Sequence, residues 1–133
     1  MDDCLFCKIA AGQLPAERVD EDAHTVAFMD INPWTRGHAL VIPRNHSTDL
    51  LEVGEEDLHH TATAAKRLAA RMKECLGAEG VNLLNACGEA AWQSVFHFHI
   101  HVIPRWSDDP LQLPVRPQKA DPDELAKVAA ELR

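Results

Sequence analysis

Eight consecutive residues constrain this chain more than any other feature: His97-Phe98-His99-Ile100-His101-Val102-Ile103-Pro104. Successive side chains of an extended strand point to opposite faces. Phe98, Ile100 and Val102 therefore share one face and demand an apolar layer, while His97, His99 and His101 share the other. Neighbouring imidazoles on that face stand about 6.5–7 Å apart, two residues at about 3.3 Å each. A lone strand histidine is normally a structural residue. Three at strict period two, opposite an unbroken apolar face, aim a row of rings at a ligand. One metal cannot take all three, because the outer pair would lie about 13 Å apart; two of them are close enough to share one.

The rest of the chain supplies a layer for that strand. From about Glu55 to Leu76, apolar residues Leu58, Ala62, Ala65, Leu68 or Ala69, Met72 and Leu76 recur at steps of three and four, which predicts one long amphipathic helix. Gly54 precedes it, acids fill its first turn, and Gly77 stands at the C-terminal cap position. Strands are predicted at Arg18–Asp20, Thr25–Met29, His38–Ile42, Val81–Ala86 and Ser94–Ile103. Leu5 to Ala11 reads as a short helix closed by Gly12. After Pro104 the chain is proline-rich, and a terminal helix begins at Asp121 with Pro122 in its first position and Glu124 three residues after the cap. The expected fold class is α+β: about five antiparallel strands packed by one long helix, with short N- and C-terminal helices. The expected domain occupies residues 1–106, and residues 107–133 form an extension whose helix packs on the same domain.

Composition narrows the partners. The 133 residues carry 13 basic and 21 acidic side chains, a net charge of −8. Counterion release needs clustered Lys and Arg, so no nucleic-acid polymer is expected as a partner. No segment reads as a signal peptide or approaches the roughly 20 apolar residues of a membrane span. The expected location is the cytoplasm, where Cys4, Cys7, Cys75 and Cys87 stay as thiols or metal ligands.

The pattern His-φ-His-φ-His-φ-φ, with φ apolar, resembles the signature of the histidine-triad (HIT) family of nucleotide hydrolases and transferases. The likeness extends over about residues 4 to 106. It includes Leu5-Phe6-Cys7-Lys8-Ile9, Phe28-Met29-Asp30-Ile31-Asn32-Pro33, Gly37-His38-Ala39-Leu40-Val41-Ile42-Pro43 and Gln93-Ser94-Val95. The resemblance implies a purine nucleotide or nucleotide conjugate as ligand, and a homodimer whose sheets join. It makes His99 the nucleophile at an α-phosphorus. His101 then hydrogen-bonds the phosphate or helps protonate the leaving group, and His38 is the fourth site histidine. A neutral imidazole needs no deprotonating base, and crowded histidines oppose one another's protonation.

By the same resemblance, Gln93, Ser94 and Asn85 contact phosphate oxygens, and Asp30 accepts hydrogen bonds from ribose hydroxyls. Phe6, Ile9, Phe28 and Ile31 form the apolar slot for the base; plain core packing accounts for each of those four equally well. One position departs from the family. Trp92 stands where glycine commonly precedes the Gln-Ser pair, so its indole narrows the leaving-group side, stacks on a substrate, or anchors the loop or a dimer contact.

Cys4-Leu5-Phe6-Cys7 is a C-x-x-C pair with no strand before it, unlike a redox motif in a βαβ context. In zinc-bearing members of the family a similar pair is completed by two histidines, here matching His46 and His97. Two thiolates and two imidazoles make a closed structural zinc site; the alternative is two half-buried thiols with His46 capping them. The expected activity is hydrolysis of adenosine phosphoramidates or related conjugates. Dinucleoside polyphosphate hydrolysis or phosphorolysis, and a non-catalytic nucleotide- or zinc-binding module, are the alternatives.

Overall fold

A computed structural model of the chain describes residues 3–133. Its element order is α1 (Leu5–Ala10), β1 (Arg18–Glu21), β2 (Thr25–Met29), β3 (Ala39–Pro43), α2 (Glu55–Leu76), β4 (Gly80–Leu84), a 3-10 turn at Glu89–Ala91, β5 (Ile100–Arg105) and α3 (Pro122–Leu132). The five strands form one antiparallel sheet in the order β1-β2-β3-β5-β4.

Strand alternation explains why β2 and β3 are almost wholly apolar. Ala27, Ala39 and Val41 face α2 and pack with its Ala64, Ala65, Leu68 and Met72. Val26, Phe28, Leu40 and Ile42 face the other way, against Phe6 and Ile9 of α1. Both faces are covered, so neither can be polar. Phe98, Ile100 and Val102 join the α2 layer, as their period requires.

Helix α2 ends where its glycines predict, with Gly77 in the left-handed conformation at φ 67°. Its buried stripe is rotated slightly from expectation. Ala62 is exposed, while Thr61 and Ala64 are buried. Thr61 tolerates this because its hydroxyl donates to the Asp57 carbonyl at 2.6 Å, leaving a methyl for the sheet. A second glycine is needed for space: a Cβ at Gly37 (φ 93°) would lie 2.6 Å from Leu76 Cδ1.

Two expectations need correction. The last strand begins at Ile100 and not at Ser94. β3 runs on to Pro43, but its pairing with β5 stops at Val41 opposite Ile100, and β4 ends at Leu84 opposite His101. His97–His99 is held instead by single bonds, such as Phe98 N–H to the Ser47 carbonyl at 2.8 Å. The terminal helix, expected to pack on the domain, has no buried residue. Arg105 fastens the extension as far as Leu111, through Asp109 and the Leu111 carbonyl. Beyond that, α3 forms from local signals alone: Pro122 in the first turn and an Asp121 carboxylate accepting the Asp123 N–H at 3.2 Å.

Candidate functional site

Register places the histidines. His101 lies directly opposite Leu40 on β3 and Leu84 on β4, which puts it on the α1 face of the sheet. His99 and His97 follow back along the segment on that same side, where Phe6 packs edge-on against both rings at 5.1 and 6.0 Å. His38, just before β3, is fully buried and comes within 2.9 Å of His101.

Main-chain groups determine which ring nitrogen carries each proton. A carbonyl can only accept, so His99 Nδ1, 2.7 Å from the His97 carbonyl, bears the hydrogen and Nε2 keeps its lone pair. The Trp34 N–H donates to His38 Nδ1 at 3.0 Å. His38 therefore holds its proton on Nε2 and donates to His101 Nδ1. That leaves His101 with an Nε2–H. Burial pushes the pKa of His99, His38 and His101 down, and for His101 the neighbouring His99 and His38 add to it, lowering it to about 4. Asp30, with Oδ2 3.6 Å from His38 Nε2, opposes the shift in all three without reversing it. The rings are neutral near pH 7.

His99 and His101 form one wall of a cavity of about 430 Å³. Phe6, Ile9, Phe28 and Leu40 form its apolar end, Asp30 and Ser94 its polar side, and Ile31, 90% exposed, stands at its rim. Phe6 and Phe28 meet edge to face at 5.4 Å. A second cavity of about 190 Å³ shares Asp30, Asn32, Ser94 and His101 with the first, and adds Trp34, Leu84, Ala86 and Trp92.

On the far side of His97 is a compact cluster. Cys4, Cys7, His46 and His97 bring their ligand atoms within 4.8 Å of one another. Cys7 Sγ lies 3.3 Å from His46 Nδ1, Cys4 Sγ 3.4 Å from His97 Nδ1, and the two Nδ1 atoms 3.3 Å apart. Bonds of about 2.1–2.3 Å in a tetrahedron put ligand atoms roughly 3.4–3.8 Å apart, so these spacings suit a zinc ion. The tautomer agrees: His97 gives its Nε2–H to the Pro43 carbonyl at 2.8 Å, which frees Nδ1 toward the thiols. Burial, with Cys4 alongside, pushes the Cys7 thiol up to about 11. A cation would be needed to hold that thiolate.

The sequence model of the HIT domain matches residues 11–108. This chain belongs to the HIT family. Protein hit of Bacillus subtilis is 43% identical over 105 residues, covering 79% of this chain and 72% of that protein. Among solved structures, a Zn-bound histidine triad family protein from Mycobacterium smegmatis superposes with a TM-score of 0.81 at 37% identity, covering 98% of each chain. A histidine triad nucleotide-binding protein from Candida albicans gives 0.86 at 32% identity, over 98% of this chain and 94% of that one.

Within this HIT domain two expected substrate contacts have other employment. Gln93 is buried and fully engaged: its Oε1 accepts from Gly88 N–H at 2.8 Å, and its Nε2 donates to the Thr48 and Val95 carbonyls. It staples the loop before the triad and does not line either cavity. Asn85 donates its amide to the His99 carbonyl at 2.9 Å and likewise lines neither. Sequence reasoning missed Asn32, Leu40 and Trp34 as wall residues. Trp34 had a signal, a large apolar side chain inside a Pro- and Gly-punctuated loop. Cys75 is an exposed thiol. No helix among the described residues is long and apolar enough to cross a membrane.

Proposed function

We propose that this HIT protein is a nucleotide-binding hydrolase that cleaves at the α-phosphorus of a purine nucleoside phosphoramidate through a nucleotidyl-His99 intermediate. The observation that carries the reading is the His99 tautomer: Nδ1–H is held by the His97 carbonyl at 2.7 Å, so Nε2 meets the ligand as a free lone pair. The Nε2–P bond forms as the P–N bond to the amine breaks. The departing nitrogen takes one proton from solvent. Water then attacks phosphorus, the P–Nε2 bond breaks, and the proton that water releases closes the balance. The products are an amine, a nucleoside monophosphate and neutral His99.

The other residues bind and orient. His101 donates its Nε2–H to a phosphate oxygen, and His38 keeps that proton in place by occupying His101 Nδ1. Ser94 lies beside the phosphate, Asp30 accepts from the ribose hydroxyls, and Phe6, Ile9, Phe28 and Ile31 enclose the base. Family membership and the nucleotide-binding relative from Candida albicans support this reading. Dinucleoside polyphosphates fit less well, because no Lys or Arg lines either cavity to neutralise a polyphosphate leaving group.

Cys4, Cys7, His46 and His97 hold zinc in this proposal, supported by the Zn-bound relative and by the donor spacings. The ion supplies a cross-link between α1, the segment after β3 and the histidine segment. The chain also forms a homodimer through β4 in this reading. Of the two sheet edges, β1 carries Arg18, Asp20 and Glu21, which blunt it, while β4 offers the half-exposed Leu83. Four cysteines without a disulfide suit the cytoplasm.

The decisive experiment is rapid acid quench with an adenosine phosphoramidate, followed by intact-mass analysis. A mono-adenylated wild-type chain, lost in His99→Ala, is expected. Nucleotide binding with neither turnover nor adduct would instead leave a binding module.

A further inference from the structure

We propose that Trp34 and Trp92 form an aromatic leaving-group subsite, which selects nucleoside phosphoramidates whose departing amine carries a flat aromatic ring. This rests on the hydrolase reading above and names its substrate class.

The first observation is the backbone at Trp92. It is the one non-glycine residue at positive φ among those described, at 79° in the left-handed region. Bulky residues rarely adopt that conformation, and glycine does so freely. The loop imposes it: Trp92 N–H bonds the Glu89 carbonyl at 3.0 Å, Gln93 N–H bonds the Gly88 carbonyl at 3.1 Å, and the Gln93 amide clamps both sides. A position shaped for glycine therefore carries the largest side chain available. Strain of this kind, held by the surrounding structure, clusters at active sites and ligand clamps.

The second observation is where the indole goes. Trp92 is 66% exposed and Trp34 41% exposed, so neither is spent on the core. Both line the small cavity that shares Asp30, Asn32, Ser94 and His101 with the nucleoside cavity. Both also line a third cavity, of about 390 Å³, floored by Pro110, Leu111, Gln112 and Pro114. The three cavities run in series: apolar slot, phosphate position beside His99 and His101, then the tryptophans. The leaving group departs opposite His99 Nε2 and, in this proposal, sits in the tryptophan-lined space that adjoins the phosphate position away from the apolar slot. Trp34 is already stacked on His101, ring centroids 5.7 Å apart and planes 14° from parallel, so its orientation is preset.

The third observation is charge. No Lys or Arg lines the second or third cavity; beyond Asp30, Ser94 and His101 at the phosphate end, their walls are indole, proline, aliphatic and amide groups. Such walls accept a flat ring by stacking and accommodate a cationic amine, but they leave a polyphosphate unmatched.

The test compares kcat/KM for two adenosine phosphoramidates of similar size and amine basicity, one from naphthylethylamine and one from cyclohexylethylamine. A diadenosine polyphosphate serves as the arm in which the flat ring is a second nucleobase. Wild type should favour the naphthyl compound by about tenfold, from stacking on two indoles. Trp92→Gly, which suits the backbone, and Trp34→Leu should each reduce that ratio at least about threefold. An unchanged ratio in both variants would overturn the proposal, as would preference for the diadenosine compound.

A second readout separates this idea from the hydrolase reading. In the His99→Ala variant, the naphthyl compound should quench tryptophan fluorescence and bind several-fold more tightly than the cyclohexyl one, with Trp92→Gly removing the difference. Quenching without turnover or adduct in the wild type would sink the hydrolase and keep the subsite. Turnover with no quenching, and with an indole emission typical of a buried ring, would sink the subsite and make Trp92 a contact between copies of the chain.

Discussion

His97 and His99 are two residues apart, both buried, and oppositely wired. The first gives its Nε2–H to the Pro43 carbonyl and turns Nδ1 toward two thiols. The second gives its Nδ1–H to the His97 carbonyl and turns Nε2 toward the nucleotide cavity. Neither ring differs in chemistry from the other until a single main-chain oxygen chooses its tautomer. In the proposed reading, the segment thereby supports scaffold at one end and chemistry at the other. His101 extends the logic a step further, with Nδ1 filled by a side chain, His38, in place of a carbonyl.

If that division holds, the two rings should fail in different ways. His99→Ala should lower turnover of an adenosine phosphoramidate by at least about a thousandfold, as loss of a nucleophile does. Its melting temperature and zinc content should stay close to wild type. Cys7→Ser should do the reverse: bound zinc, read by elemental analysis of the purified protein, falls from one per chain toward none. The melting temperature drops by about 10 °C or more, because metal binding contributes to folding. Activity at low temperature should fall by no more than about a hundredfold. A Cys7→Ser protein that keeps its zinc, or a His99→Ala protein that loses it, would erase the distinction between the ends.

A gentler test uses pH. Burial and the adjacent rings hold His101 neutral down to about 4, against an ordinary histidine value of 6.5. The depressed value means that the working, uncharged form persists as pH falls through 6.5 and is lost only near 4. The profile of kcat/KM should therefore run flat from pH 8 to 6, with no inflection near 6.5. A half-titration centred there would mean that His101 is solvated and the His38–His101 pairing open.

How much of this could be read from the sequence depended on whether an instruction was local. Helix α2 was legible to its last residue, because a glycine at each end and a period of three and four are statements about consecutive residues. The division of the histidine segment into two faces was legible for the same reason. The start of β5 was not: whether residues 94–99 join a ladder depends on how far the pairing with β3, some fifty residues away, continues past Val41. Asn85 and Gln93 were recognised as important, but their internal partners were not legible. An amide can serve a phosphate or a backbone carbonyl equally well, and only the folded chain shows that Gln93 closes the loop at 88–93 while Asn85 donates to the His99 carbonyl. The exposed face of α3, with Leu125, Val128 and Leu132, follows from a pattern that predicts amphipathicity without saying what it meets.

The smallest expected effect bears on the loop that precedes both rings. At Trp92 the backbone sits at φ 79°, which an L side chain adopts at a cost and glycine does not. Removing the indole also releases little packing, since most of it is exposed. Set against this, glycine loses more conformational freedom on folding than any other residue. The first term exceeds the second where φ is positive, so Trp92→Gly should stabilise the protein by roughly 0.5–1 kcal/mol, a rise of about 2–5 °C in melting temperature. The gain should be the same in a Cys7→Ser background, because the strained loop and the metal corner share no partner. A fall in melting temperature on making Trp92→Gly would mean that the indole contributes more to folding than its exposure indicates, and that the conformation is sustained by packing and not by the closed loop alone.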